Sequence, residues 1–249
     1  GAEGAVYLPA VAHNKGEAGT VGRTSLQLTN PAGEAHTWEA KFFPKGDIPG
    51  AFRNVTVAPQ QTVFADDLIG WMYSPMEAPE ASGIVRLAPA DGKDVLPIAV
   101  GRTYNLTATG TFGQDIPALA GAHGIRKGGE HERMVITGMS SADISRSNLG
   151  FVSLSDTSGV DFAIYFYDEN GNLLNPEGKP YTYAIGPNGW DQDKLENRFK
   201  NFFKQELPAG QRVISAVIQV RAGGPGFAYA SVIDSITGDP IFVPAYLLP

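Results

Sequence analysis

Two pairs of acids, Asp66 with Asp67 and Asp191 with Asp193, are the residues of this chain best suited to hold a metal, because paired carboxylates at a strand end offer hard oxygen ligands to Ca²⁺. Capping of a following helix is the competing role of these acids, and the expected one. His123 and His131, with Glu130 and Glu132 beside them and His13 and His36 elsewhere, supply the donor types of an imidazole and carboxylate site. However, His131-Glu132-Arg133-Met134-Val135 has Val where the second ligand of an HExxH helix must stand. Asp168-Glu169-Asn170-Gly171-Asn172 opens like a calcium loop, but counting on to its twelfth position reaches Lys179 instead of a bidentate Glu. Gly138-Met139-Ser140-Ser141-Ala142 ends in Ala where a nucleophile elbow needs Gly, and no phosphate-binding Gly-rich loop follows a strand. An enzyme is therefore not expected and no organic cofactor is implied, with Ca²⁺ the one ion these acids would suit. A hydrolase would need a cleft bringing two carboxylates together, which spacing alone does not show.

Aromatic residues are the other handle. Trp38, Trp71, Tyr73 and Trp190 are candidate ligand-binding residues, since exposed rings stack on sugars, and their competing use is as large core or interface side chains. Arg23 and Arg146 recur at matching places, in Arg23-Thr24-Ser25-Leu26 and Arg146-Ser147-Asn148-Leu149. A repeated Arg beside a strand can grip an anionic ligand. Pairing with a nearby Asp, or capping carbonyls at a sheet edge, explains the repetition without one, and a structural role is expected.

These residues must be positioned by strands. The 249 residues include 30 Gly and 18 Pro spread between runs rich in Val, Ile, Thr, Tyr and Phe, the composition of many short strands separated by turns. A net charge of -7 with no cluster of bases argues against nucleic acid. No apolar stretch approaches the roughly 20 residues needed for a transmembrane helix, so no transmembrane segment is expected. The chain has no Cys, which removes disulfides and thiolate sites and is compatible with bacterial export.

The runs come in the same order twice. Val6 to Ala12, Thr24 to Thr29, Thr37 to Phe43 and Asn54 to Val57 are strands of the first half, closed by Gly83 to Leu87 and Leu96 to Leu106. Phe151 to Leu154, Asp161 to Tyr167 and Tyr181 to Ile185 belong to the second, closed by Arg212 to Arg221 and Phe227 to Ile233. The continuous run Val213 to Val220 predicts a strand buried on both faces, and Asn170-Gly171 predicts a type I′ hairpin. Leu195, Phe199, Phe202 and Phe203 predict one short helix within Trp190 to Leu207, with Asp66 to Trp71 making a turn or two at the matching place. The expected fold is all-β: two tandem antiparallel β-sandwiches, jelly-roll or Ig-like, related by internal duplication. They would span residues 1–120 and 133–249, with the Gly-rich stretch 121–132 as linker.

The strings Val6-Tyr7-Leu8-Pro9-Ala10-Val11-Ala12-His13, Arg102-Thr103-Tyr104-Asn105, Gly110-Thr111-Phe112-Gly113-Gln114-Asp115-Ile116-Pro117-Ala118 and Tyr229-Ala230-Ser231-Val232-Ile233-Asp234 resemble tandem β-sandwich modules of secreted or surface proteins from environmental bacteria. The resemblance implies a secreted or cell-surface setting and brings no catalytic residues with it. The functional expectation is a non-catalytic structural or adhesive module, binding copies of itself in a layer or filament, or binding surface glycans through exposed Trp and Tyr.

Overall fold

The computed structural model describes residues 2–15 and 21–249, and the chain divides into two compact units, Gly1–His123 and Gly124–Pro249. Both are mostly antiparallel β-structure. In the first unit the strands are β1 (Val6–Lys15), β2 (Val21–Thr29), β3 (His36–Pro44), β4 (Ala51–Val57), β5 (Thr62–Ala65), β6 (Ala81–Pro89), β7 (Ile98–Thr107), β8 (Gly110–Pro117) and β9 (Leu119–Ala120), with a six-residue helix α1 (Leu68–Tyr73) before β6. Strands pair in the order β4-β3-β6-β1-β9 on one side and β5-β2-β7-β8 on the other. The end of β1 joins the two through Asn14–Gly22 and Lys15–Val21.

Alternation explains these strands. In β2 Thr24, Leu26 and Leu28 point inward and are buried, whereas Arg23, Ser25 and Gln27 point out. Trp38, Ala40 and Phe42 of β3, with Val85 and Leu87 of β6, complete this core, and Leu68 and Ile69 of α1 are buried.

The second unit contains β10 (Arg133–Met139), β11 (Ser145–Ser153), β12 (Val160–Tyr167), β13 (Tyr181–Ile185), β14 (Trp190–Lys194), α2 (Leu195–Phe203), β15 (Ile214–Gly223), β16 (Gly226–Asp234), β17 (Pro240–Pro244) and β18 (Tyr246–Leu247). Its two sheets run β13-β12-β15-β10-β18 and β14-β11-β16-β17. Counted from the first strand of each unit, this is the pairing order of the first unit, and the helix falls between the fifth and sixth strands in both.

The agreement extends to an irregularity. The register of β1 on β6 slips between Leu8 and Val11, with Ala10 at φ 57°, and that of β10 on β15 slips between Ile136 and Met139, with Gly138 at φ 82°. A β-bulge of this kind leaves an amide without its ladder partner. In each unit a hydroxyl from the second strand accepts the freed amide: Thr24 Oγ1 from Ala12 N and Ser147 Oγ from Ser140 N, both at 2.8 Å. Ser147 also donates to the carbonyl of Ser140. Thr103 spends its proton on the Ala10 carbonyl, so Thr24 is the donor in the 2.8 Å contact between the two threonine hydroxyls.

Three local expectations change. Trp190 to Lys194 is a strand paired with β11 and not the start of a helix, so α2 begins only at Leu195 and its N-cap is Lys194 rather than an acid. The Asp168 to Asn172 turn has positive φ at Gly171 but not at Asn170, which makes it a type I turn closed by a bulged Gly, not type I′. β15 is the middle strand of its sheet, yet only Ile214, Ala216, Ile218 and Val220 are buried, and the alternate residues Ser215, Val217 and Gln219 are half-buried.

The stretch 121–132, read from its composition as a linker, is hydrogen-bonded into its neighbours. Gly121 N binds Ala5 O, and beyond the division Ile125 exchanges two backbone bonds with Gly226 while Lys127 N binds Gly223 O. No helix of the described residues is long and apolar enough to cross a membrane.

Candidate functional site

The four candidate metal-binding acids do not occupy matching places. Asp66 and Asp67 follow β5, whereas Asp191 and Asp193 lie within β14, opposite Phe151 and Leu149. Asp67 is spent internally: it caps α1 through the Gly70 amide at 3.0 Å, receives Arg23 Nε at 3.1 Å and contacts His13 Nδ1 at 2.8 Å. Arg23 also donates to the carbonyls of Gly22 and Asn14. Its counterpart Arg146 is exposed. Asp193 binds the Lys194 amide and the Asn197 side chain. Asp66 is exposed, and its carbonyl accepts the Tyr104 hydroxyl. Among the described residues no group of three His, Cys, Asp or Glu side chains is arranged to hold a metal ion.

Asp191 belongs to a buried polar cluster that ties α2 to both sheets of the second unit. Arg198 of α2 donates to Asp191 at 2.9 Å, to the Leu149 carbonyl at 3.0 Å and to the Tyr181 hydroxyl at 3.4 Å, with its guanidinium 4.7 Å from the Tyr183 ring and 5.2 Å from that of Phe151. Burial opposes the charge of Arg198, and the contacts with Tyr181 and Asp191 more than offset it. Burial, then the carboxylate of Asp191 accepting its hydrogen bond at 2.5 Å, pushes the Tyr183 phenol up to about 12. Each group here has a partner, so the cluster is an anchor for the helix.

The aromatic candidates divide. Trp38 is completely buried and donates from Nε1 to the Val95 carbonyl, and Tyr73 is buried with its hydroxyl on the Pro49 carbonyl, so neither can stack on a ligand. That corrects the expectation for these two, whose size made them core residues. Trp71 is half-buried beneath Arg53, whose guanidinium sits 4.7 Å from its ring and also donates to the Trp71 carbonyl. Trp190 is half-buried and donates to the Tyr229 hydroxyl at 2.8 Å.

The open surface lies elsewhere, on the side of β5-β2-β7-β8 turned away from the core. Along β7 the small residues Ala99 and Gly101 face inward, leaving Ile98, Val100, Arg102, Tyr104 and Leu106 to face out. Register brings Phe64 of β5 beside Gln27 of β2, and Asp115 of β8 beside Arg102 of β7. Together they line a trough of about 510 Å³ that crosses all four strands. Phe64, Ile98 and Leu106 are 57%, 62% and 49% exposed. Arg102 donates to Thr111 Oγ1 at 3.0 Å, which sets its guanidinium 5.4 Å from the Tyr104 ring.

The corresponding face of the second unit is filled. Counted from the hydroxyl at the bulge, Tyr229 stands where the first unit has Val100, and its ring is fully buried over Gly150, where a Cβ would meet it at 2.2 Å. Its hydroxyl donates to Gln192 at 3.0 Å and its ring stacks on Phe242 at 4.9 Å. Burial raises the Tyr229 phenol well above its ordinary range.

Phe64, Arg102, Tyr104 and Asp115 were not among the sequence candidates. The available signal was the alternation in β7, where small Ala99 and Gly101 leave the bulky partners to the outside. No family model and no curated protein matches this chain. Among solved structures, one described as an anti-sigma factor domain-containing protein is similar at 10% identity over 96% of each chain, with a TM-score of 0.16, too low to carry an argument.

Proposed function

We propose that this chain is a structural and adhesive module of two β-sandwiches related by internal duplication, and that it holds surfaces together through the outward face of β5-β2-β7-β8. Duplication is supported by the shared pairing order, the helix at the same point of each unit, and the bulge with its capping hydroxyl at the same register. The adhesive reading rests on one contrast: the same sheet face is filled by Tyr229, Trp190 and Phe242 in the second unit and left open, with apolar side chains exposed, in the first. An exposed apolar face rimmed by polar groups is the mark of an interaction surface. An extracellular setting, as for tandem modules of bacterial surfaces, is part of the same proposal, and envelope fractionation of the source cells tests it.

The test of adhesion is a double substitution, Val100→Glu with Leu106→Glu, on outward positions whose loss leaves the core intact. The unmodified protein is expected to sediment with envelope material from its source or to self-associate at high concentration. The variant, with unchanged circular dichroism, is expected to do neither. A wild-type protein that stays free and monomeric in both assays, or a variant that still sediments with envelope material or self-associates, overturns the reading.

A further inference from the structure

We propose that the trough on β5-β2-β7-β8 binds a neutral, hydroxyl-rich glycan chain; this rests on the adhesive reading of the same face and names its ligand. The argument begins with charge. The lining holds two carboxylates, Asp66 and Asp115, against one guanidinium, Arg102, so the site carries no surplus of positive charge with which to select an anionic polymer. It does carry donors and acceptors side by side: the carboxylates only accept, Arg102 only donates, and Ser25, Gln27 and Thr111 do both. A sugar hydroxyl also donates and accepts, so a run of vicinal hydroxyls satisfies both kinds of group without bringing in charge of its own.

Shape and apolar content point the same way. Phe64 at one wall and Tyr104 towards the middle offer rings to the apolar C–H faces of pyranose units, as half-exposed aromatics do at wet interfaces. At about 510 Å³ the trough falls within the range of roughly 300 to 1,000 Å³ typical of ligand sites. Its lining comes from all four strands of the sheet, which suits several units of a chain more than a single sugar. Tyr104 is held in place from two sides, by its hydroxyl on the Asp66 carbonyl at 3.2 Å and by the Arg102 guanidinium, itself fixed on Thr111. A site positioned before its ligand arrives loses less freedom on binding.

Affinity electrophoresis of the full chain through gels containing neutral soluble polysaccharides (a mixed-linkage β-glucan, a xylan, a glucomannan, a dextran), with an anionic pectin for comparison, tests this. Retardation is expected in at least one neutral gel and no stronger in pectin. Tyr104→Ala is expected to weaken binding about tenfold or more, as removal of a central ring does in other interfaces, while Tyr104→Phe retains most of it and shows that the ring, not the hydroxyl, carries the contact. Asp115→Asn is expected to weaken binding without altering the circular dichroism spectrum. Three results overturn the proposal: no retardation in any neutral gel, stronger retardation in pectin, or equal retardation of wild type and Tyr104→Ala. If glycans fail but Val100→Glu with Leu106→Glu still abolishes self-association, the glycan assignment falls and the adhesive reading stands with a second copy of the chain as partner. If both fail, the two readings fall together.

Discussion

At the scale of the residue, the hydroxyls of Thr24 and Ser147 show how one atom can fix a fold. Each sits at zero exposure opposite a bulge and receives an amide that the slipped ladder has released. Ser147→Ala leaves both the amide and the carbonyl of Ser140 without this partner. It is expected to cost about 1 to 3 kcal/mol in urea denaturation, the usual penalty for stranding a buried polar group. Ser147→Thr is expected to be tolerated, because the first unit uses Thr in that place. A Ser147→Ala protein as stable as wild type would show that the bulge needs no cap. The device was half legible in the sequence, where Thr24 and Ser147 follow the recurring Arg. The two arginines have different surroundings, whereas the hydroxyls beside them do the same work.

At the scale of the element, α2 is held by Arg198, whose side chain is 4% exposed beneath two aromatic rings. Arg198→Met keeps the volume but takes away the cationic partner of Asp191, leaving the carboxylate the Tyr183 hydroxyl, so it is expected to destabilise by about 3 to 5 kcal/mol, whereas Arg198→Met combined with Asp191→Leu recovers part of that loss. Urea denaturation of wild type, single and double variants decides it, and a single variant within about 1 kcal/mol of wild type would sink the anchoring role. Strands such as β2 and β12 were legible because apolar residues alternate and the core takes one face. The start of α2 was not: Asp191 and Asp193 ahead of Lys200 and Lys204 satisfy the helix dipole, yet Trp190–Lys194 gains more by pairing with β11. The trough was still less legible, since residues 64, 102, 104 and 115 become neighbours only once four strands are in register, and a sequence does not print its long-range pairings.

At the scale of the whole molecule, each unit has its own buried core and its own pairing order, the attributes of a part able to fold by itself. Residues 1–123 and 124–249, produced separately, are each expected to unfold in one cooperative urea transition. A piece that yields no such transition would show that the division is one of contacts only. The ring of Tyr229 resting on the bare backbone of Gly150 has a further consequence. Whether this sheet face is filled or left open depends on side chains that point away from the core of the unit. Point substitutions on that outer side are therefore expected to fill or empty the face while the strand pairing beneath is kept.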